Sequence, residues 1–287
     1  MPIVPGPAPA PGFALEAEPA IPPQLFSFSR LKTFTQCPLR YRYRYLEGRQ
    51  EAFRSVEAFL GKTAHAVLEW LYVERDRGQS PTASRLQQEL ARCWSESWSD
   101  DVAVVRTEES ADASFRLARE MLDRFHRELF GRDRSLTVAL EQRVTVALSR
   151  EVTFTGFADR VGRTERGRLF VVDYKTSRST GDGSDFSEGL QTPLYAACSL
   201  EGRDDAEALA GYHYLRHGTS SWQSVTRDRG RAVLDRFLGL AEQALGAVDH
   251  PARPGALCAW CGFNHLCPAA RVPDHLAGGR DHARRRG

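Results

Sequence analysis

Lysine is the rarest charged residue of this chain. Only three of its 39 Lys and Arg residues are lysines, at positions 32, 62 and 175, and the others are arginines. Against 37 acidic residues they leave a formal net charge of only +2, so the chain as a whole is not a polycation. A chain that uses arginine almost everywhere needs a local reason for a lysine, which draws attention to Lys175.

Long apolar runs and a complete phosphate loop are also missing. No stretch of about 18 or more apolar residues occurs, which excludes a transmembrane helix. The N-terminus lacks a basic region followed by an apolar core, so we expect no secretory signal and a cytoplasmic location. Gly61-Lys62-Thr63 has Val56 where a phosphate loop needs a glycine, which argues against a fused ATPase motor.

Composition divides the chain into three parts. The first 24 residues hold eight of the fifteen prolines, which predicts a disordered Pro/Ala-rich leader over 1–25. The arginine-rich end predicts a flexible basic tail over 271–287. One ordered domain over 26–270 remains, and its length is enough to bury a sizeable core.

Hydrophobic periodicity predicts an α/β fold. Apolar residues at helical spacing predict helices over 56–75, 82–97, 110–130, 185–200 and 228–247. Alternating or β-branched segments predict strands over 138–148, 152–161, 168–175, 208–216 and 221–226. The order of these elements indicates a mixed α/β core with a helical insertion at about 76–135.

Acidic residues end two neighbouring predicted strands. Asp173 and Lys175 share one face of their strand, about 7 Å apart, and Asp159 ends the strand before it. If the two strands pair as a hairpin, the carboxylates form a hard oxygen site for Mg²⁺ or Mn²⁺. Such a metal activates water and stabilises charge on a phosphodiester, and a lysine beside it positions that water. The alternative is a surface salt bridge from Asp173 to Lys175 or to Arg160.

Two further residues are weaker candidates for the same site. His65 lies on the predicted helix 56–75, where a histidine taken alone is more often a surface residue. Glu141 lies among Val and Leu in a predicted strand, and either supports a metal site or faces solvent.

The six cysteines divide into two groups. Cys258, Cys261 and Cys267 place three thiolates within ten residues, at a spacing that lets two of them reach one metal. Cys37, before Pro38, is the best candidate for a fourth ligand. The other two, Cys93 and Cys198, lie in helical patterns where a cysteine usually packs as a small apolar residue. Zinc and a [4Fe–4S] cluster both fit four thiolates, and spacing alone does not choose between them.

Seven short motifs occur in a specific order along the chain. They are Phe28-Ser29-Arg30-Leu31, Gln36-Cys37-Pro38-Leu39-Arg40-Tyr41, Gly61-Lys62-Thr63-Ala64-His65, Gly156-Phe157-Ala158-Asp159-Arg160, Asp173-Tyr174-Lys175-Thr176, Gln191-Thr192-Pro193-Leu194-Tyr195 and the cysteines from Cys258 to Cys267. In this order the chain resembles the RecB-family exonuclease group of PD-(D/E)XK nucleases. Relatives in that group include the AddB nuclease domain and the CRISPR adaptation nucleases that carry an iron–sulfur cluster.

The resemblance implies a fold and a role for each motif residue. The fold would be a restriction-endonuclease-like core, with a central mixed sheet flanked by helices and a C-terminal Cys-rich segment. The implied catalytic-metal ligands are Asp159, Asp173, His65 and the Tyr174 carbonyl. Lys175 would act on the attacking water, and Gln191 and Tyr195 would lie beside the site and contact substrate. The implied [4Fe–4S] ligands are Cys37, Cys258, Cys261 and Cys267, with zinc the less favoured occupant.

A basic and aromatic segment follows the first cysteine. Arg40, Arg42 and Arg44 alternate with tyrosines, a pattern that suits contacts to the backbone and bases of single-stranded DNA. The alternative is a helix with buried aromatics and solvated arginines. The two interpretations are compatible, because Tyr41 and Tyr45 can face the core while the arginines line a channel.

Three functions are compatible with these observations. The first is a metal-dependent DNA nuclease, expected to be an exonuclease on single-stranded or frayed ends in DNA repair or recombination. The second is a DNA-binding subunit with a nuclease fold that works only with a helicase or recombination partner. The third is a zinc-binding interaction module in which the carboxylates have no catalytic role.

Overall fold

The computed structural model describes residues 24–106, 108–180 and 189–272. Residues 1–23 of the predicted leader and 273–287 of the predicted tail lie outside the described residues. So do residues 185–188 of the helix predicted over 185–200. None of the described helices combines the length and the apolar character needed to cross a bilayer.

A six-stranded mixed sheet forms the centre of the fold. Its strands are β1 (Gln24–Phe26), β4 (Leu136–Ala147), β5 (Val152–Arg163), β6 (Leu169–Lys175), β7 (Glu207–Tyr214) and β8 (Thr219–Thr226). Hydrogen-bonded neighbours in the sheet follow the order β1-β5-β6-β7-β8. One edge of β5 pairs with β1 and then with β6, and its other edge pairs with β4. The pairs β4–β5, β5–β6 and β7–β8 are antiparallel, whereas β1–β5 and β6–β7 are parallel. A separate parallel pair joins β2 (Arg54–Ser55) to β3 (Val102–Ala103).

Helices cover both faces of the sheet. They are α1 (Phe28–Gln36), α2 (Pro38–Tyr41), α3 (Val56–Asp76), α4 (Ala83–Ser97), α5 (Ala111–Glu128), α6 (Gln191–Leu200) and α7 (Arg227–Leu245). A π-helix over Arg42–Leu46 follows α2, and short 3₁₀ turns occur at Phe130–Arg132 and Ala256–Trp260. One apolar core lies between the sheet and α1, α6 and α7, and a second lies between the sheet and α3, α4 and α5. The predicted mixed α/β fold is confirmed.

Several boundaries differ from the sequence prediction. Gln24 and Leu25, which fall in the predicted leader, pair with β5 as part of β1. Val272, which falls in the predicted tail, packs against a small core around Phe53 and Ala259. The predicted helix 185–200 begins only at Gln191, because residues 189–190 form a turn. The predicted insertion at about 76–135 contains α4 and α5, together with β3.

A buried guanidinium ties the α3 layer to the sheet. Arg160 is only 3% exposed, and its Nη1 donates to Asp133 Oδ2 at 2.9 Å. Its guanidinium carbon lies 3.8 Å from the centre of the Tyr72 ring on α3. The Tyr72 hydroxyl and Arg75 also donate to Asp133, at 3.1 and 3.2 Å. Because Arg160 directly follows Asp159 on β5, this network also holds the backbone next to Asp159 in place.

Replacing Asp133 with alanine tests that network. The substitution leaves the buried Arg160 without its carboxylate, and breaking a buried ion pair costs about 3–5 kcal/mol. We expect the free energy of unfolding, measured by urea titration, to fall by that amount. Glu96→Ala, which breaks an exposed pair with Arg92, is the control and should cost less than about 1 kcal/mol. Equally small losses in both variants would contradict the assignment.

Candidate active site

The site lies where β5 and β6 separate. The two strands pair from Arg160 to Arg163 on β5, and before Arg160 the ladder ends. There the Tyr174 amide donates to Asp159 Oδ2 at 2.8 Å instead of to a backbone carbonyl. A carboxylate that accepts a backbone hydrogen bond has a fixed orientation, so Asp159 is held against the end of β6.

His65 on α3 completes this contact from the helical layer. Its Nδ1 lies 3.3 Å from Asp159 Oδ2, and its Nε2 lies 2.6 Å from the Tyr174 carbonyl oxygen. Both ring nitrogens therefore face acceptor oxygens, whereas a neutral imidazole has only one N–H to donate. Burial opposes protonation of the ring, but the charge and hydrogen bond of Asp159 outweigh it and raise the pKa of His65 to about 9. The arrangement calls for a cation at the ring, either a proton or a metal ion.

Glu141 joins the same group from β4. It is opposite Asp159, between the registered pairs Leu140–Arg160 and Gln142–Ala158. Its φ is +42°, in the left-handed region that a glutamate seldom adopts, and such strain is typical of functional sites. Burial, followed by the charge of Asp159, raises the pKa of Glu141 to about 7.

These three side chains form a candidate metal-binding group. One donor atom each from His65, Glu141 and Asp159 lies within 4.8 Å of the other two. Two carboxylates and an imidazole suit Mn²⁺ or Mg²⁺, so the residues fit a divalent metal. Glu141 is only a weak candidate from sequence, because its place opposite Asp159 depends on the pairing register and the irregular backbone of β4, and no residue pattern indicates either.

Asp173 and Lys175 form a second cluster with Gln191 of α6. Lys175 Nζ lies 2.7 Å from Asp173 Oδ2 and donates to Gln191 Oε1 at 2.7 Å. Gln191 Nε2 donates to Asp173 Oδ1, also at 2.7 Å, so the three side chains close a ring of polar contacts. Asp173 is 4% exposed, and burial, with a contribution from Asp159, raises its pKa although Lys175 opposes the shift. The carboxylate of Asp173 is thus engaged by Lys175 and Gln191, and it is not part of the three-donor group.

Tyr195 lies next to both clusters but is buried. It is 5% exposed and its hydroxyl is in hydrogen-bond contact with the Phe157 amide. A Cβ at Gly156 would be 2.5 Å from that hydroxyl oxygen, so the ring fits only against a glycine. The structure therefore places Tyr195 as a support of β5, whereas Gln191 reaches the charged groups directly.

An open cleft leads to the metal-binding donors. Its volume is about 350 Å³, and its lining includes Lys62, His65, Glu69 and Glu141. Lys62 is exposed at the start of this cleft. A negatively charged substrate can approach His65 and Glu141 from solvent along this side of α3.

The four cysteines named by the motifs line one cavity. Cys37, Cys258, Cys261 and Cys267 share a space of about 280 Å³ with Arg40. Among the described residues no three sulfurs lie within 4.8 Å of one another. Tetrahedral zinc, with Zn–S bonds of about 2.3 Å, holds its sulfurs about 3.8 Å apart. The present arrangement is wider than a closed zinc site.

The other two cysteines lie away from this cavity. Cys198 on α6 is buried in the apolar core, and burial raises the pKa of its thiol to about 12. Cys93 on α4 is partly buried, and burial with a hydrogen bond to Glu89 raises its pKa to about 11. Both thiols are therefore held protonated at neutral pH.

The basic segment after Cys37 is more heavily paired than its sequence indicates. Arg40 Nη2 lies 2.8 Å from Glu51 Oε1, and the side chain faces the cysteine cavity instead of an open surface. Arg42 pairs with Glu47 at 2.6 Å, and Arg44 lies 3.6 Å from Glu51. Of these three arginines, Arg42 and Arg44 have about half of their side chains exposed, whereas Arg40 is more buried.

Two tyrosines of this segment face the core beside α1. Tyr41 is fully buried, and its ring centre lies 5.3 Å from that of Phe34 and 5.4 Å from that of Tyr45. Tyr43 is half-buried and packs against Phe263 instead, with ring centres 5.6 Å apart.

Glu141→Gln tests the metal-binding group. The substitution keeps the shape of the side chain and removes one of the two carboxylates, so we expect Mn²⁺ affinity, measured by titration calorimetry, to fall at least about tenfold. Glu120→Gln, at an exposed position of α5, removes the same charge away from the site and should leave the affinity unchanged. Equal affinities for the two variants would exclude Glu141 as a ligand.

Comparison with known proteins identifies the family. The PD-(D/E)XK nuclease superfamily matches residues 25–268. The crystal structure of SSO0001 is similar with a TM-score of 0.41 and 16% sequence identity, over 86% of this chain and 87% of that chain. No curated protein matches the chain. Because the family match spans nearly all the described residues, the chain belongs to the PD-(D/E)XK nuclease superfamily, whose members are metal-dependent nucleases.

Proposed function

We propose that the protein is a DNA exonuclease of the RecB-family group, similar to the AddB nuclease domain. It would act on single-stranded or frayed DNA ends in repair or recombination. The convergence of His65, Glu141 and Asp159 at the end of β6 carries this proposal. Two carboxylates this close together need a cation beside them, and His65 can meet that need either by carrying a proton or by sharing a metal ion with them.

His65, Glu141 and Asp159 would hold Mg²⁺ or Mn²⁺, with the Tyr174 carbonyl beside them at 2.6 Å from the imidazole. The bound metal would supply a polarised water and stabilise charge on the phosphodiester. Asp173 could serve as a further ligand through Oδ2, which is buried, accepts no hydrogen bond from the described residues and lies 2.7 Å from Lys175 Nζ.

Lys175 would orient the attacking water. Asp173 and Gln191 hold its ammonium from two sides, at 2.7 Å each. Asp173 forms an ion pair with the ammonium, and Gln191 sets its direction by accepting one N–H. The phosphate that is cut would approach through the cleft that Lys62 borders, and Arg42 and Arg44 are the candidate contacts for more distant phosphates.

We also propose a [4Fe–4S] cluster on Cys37, Cys258, Cys261 and Cys267. The shared cavity and the wide spacing of the sulfurs support it over zinc. Arg40 lies against the cavity and would offset the negative charge of four thiolates. Since Cys37 lies between α1 and α2 and the other ligands follow α7, the cluster would join the two ends of the domain. Its role would be structural.

Cleavage of end-labelled single-stranded DNA tests the nuclease. We expect wild-type protein, purified without oxygen, to degrade it with Mn²⁺ or Mg²⁺ and to stop when the metal is removed. Asp173→Ala and Lys175→Met should lose most activity, because each breaks the polar ring beside the metal-binding group. Asp228→Ala, on an exposed turn of α7, is the control and should remain active.

Three other outcomes would contradict the nuclease proposal. Equal activity in wild type and Asp173→Ala would indicate a contaminating nuclease. DNA binding without cleavage by any of the proteins would favour a subunit that needs a helicase or recombination partner. Neither binding nor cleavage would favour an interaction module.

Cys261→Ser tests the cluster. We expect anaerobically purified wild type to be brown, with absorbance at about 400 nm. We expect Cys261→Ser to be colourless and poorly soluble. Cys93→Ser is the matched control, because its thiol lies on α4 away from the cavity, and it should remain brown. A colourless wild type that contains zinc would overturn the cluster, and a brown, stable Cys261→Ser would overturn the ligand assignment.

A further inference from the structure

An exposed aromatic side chain lies two residues before Asp159. Phe157 is 54% exposed in the middle of β5, although the residues on either side of it are buried. Within the described part of the chain, no aromatic ring or guanidinium packs against its ring. An exposed aromatic ring this close to Asp159 is open to contact with a ligand that binds at that residue.

An exposed cation is its direct neighbour across the strand pair. Arg143 of β4 is in register with Phe157, and residues paired in this way have Cβ atoms about 4.5–5.5 Å apart. Arg143 is exposed, and none of the described carboxylates forms an ion pair with it. The next pair along the strands is Thr145 and Thr155, whose hydroxyl oxygens are 3.5 Å apart.

These side chains lie on one face of the sheet. Phe154 and Ala158 of β5 face the core beside α6 and α7, as do Val144 and Val146 of β4. Because side chains alternate along a strand, Phe157 and the residues paired with it face the opposite way. We name Arg143, Phe157, Thr145 and Thr155 the β4–β5 row.

The β4–β5 row continues directly from the metal-binding group. Glu141 precedes Arg143 by two residues, and Asp159 follows Phe157 by two residues, so each step along the row is about 7 Å. A DNA strand whose phosphate is held through a cation at Glu141 and Asp159 can therefore lie over Arg143 and Phe157. The row itself carries a cation and an aromatic ring and no carboxylate, which complements a nucleic acid strand.

We propose that the β4–β5 row binds the unpaired DNA strand next to the scissile phosphate, with a base stacked on Phe157 and a phosphate paired with Arg143. The proposal rests on the proposed nuclease function and names the substrate of that site. A base inside a duplex is stacked on both faces and cannot lie on Phe157, whereas an unpaired base presents its face to an aromatic side chain. The row would thus select single strands and frayed ends.

Binding measurements on the whole protein test this proposal separately from cleavage. The Kd for a fluorescent single-stranded oligonucleotide is measured by anisotropy in EDTA over a range of salt concentrations. We expect Phe157→Ala to raise the Kd roughly 5- to 150-fold, the range for loss of one stacked base. Phe157→Trp should bind at least as well as wild type. Arg143→Met should lower the slope of log K against log salt by about 0.7, as expected for one lost phosphate contact.

The start of β4 and the turn that follows β5 supply matched controls away from the β4–β5 row. Leu136→Ala removes an apolar side chain that is 70% exposed on β4, and Arg166→Met removes an exposed charge from the turn between β5 and β6. Both should leave the Kd and the salt slope unchanged. Melting curves of all variants should coincide with wild type, since every substituted side chain is exposed.

The outcomes distinguish the row from the nuclease. If Phe157→Ala and Arg143→Met bind single strands like wild type while wild type cuts DNA, the proposed DNA contact at the β4–β5 row is wrong and the nuclease proposal stands. If both substitutions weaken binding of a blunt duplex as much as that of a single strand, stacking of an unpaired base is wrong. If the substitutions weaken single-strand binding but wild type never cuts, the row stands and the nuclease proposal fails.

Discussion

Strands β5 and β6 separate before Arg160, and the peptide groups of Tyr174 then have no ladder partner on β5. Buried amides and carbonyls have to be satisfied elsewhere. The Tyr174 amide uses the Asp159 carboxylate, and its carbonyl lies against the His65 imidazole. Two side chains of the candidate metal-binding group are therefore positioned by hydrogen bonds to peptide groups that a regular sheet would have paired itself. The gap between β5 and β6 is therefore part of the site, because continued pairing of the two strands would displace Asp159 and His65 from Tyr174.

The same separation leaves the edge of β5 open between β1 and β6. β1 covers Val152 to Phe154, β6 resumes at Arg160, and the Tyr195 hydroxyl contacts the Phe157 amide in between. The tyrosine needs a glycine at position 156 to come this close. With its backbone held from one side and β4 paired on the other, β5 keeps Phe157 directed away from the core. A buried tyrosine thus helps to hold Phe157 at the surface of the sheet.

Sequence patterns predicted the elements of this fold well, because its helices and strands have clear apolar periodicity. They also indicated Asp159, Asp173 and Lys175, and the family resemblance added His65 and Gln191; the structure brings these five residues together at one end of β6. Glu141 received little weight because its place depends on a left-handed backbone conformation that nothing in its neighbours indicates. Arg40 was expected on a DNA-binding surface, but its partner Glu51 and the distant C-terminal cysteines fix it elsewhere. Local periodicity determines elements, whereas contacts between distant segments determine what each side chain faces.

The scarcity of lysine has a physical explanation at position 175. An ammonium group carries three N–H donors. One donates to Gln191 at 2.7 Å, and the ammonium forms an ion pair with Asp173 Oδ2 at 2.7 Å. Among the described residues it has no further hydrogen-bond acceptor, which leaves donor capacity for a water molecule or a phosphate oxygen. An arginine would present a planar fork that pairs with Asp173 through two donors at once, and it could not direct a single N–H in this way. The chain can use arginine at most of its surface positions because those positions need charge alone, whereas this one needs a compact group with one donor to spare.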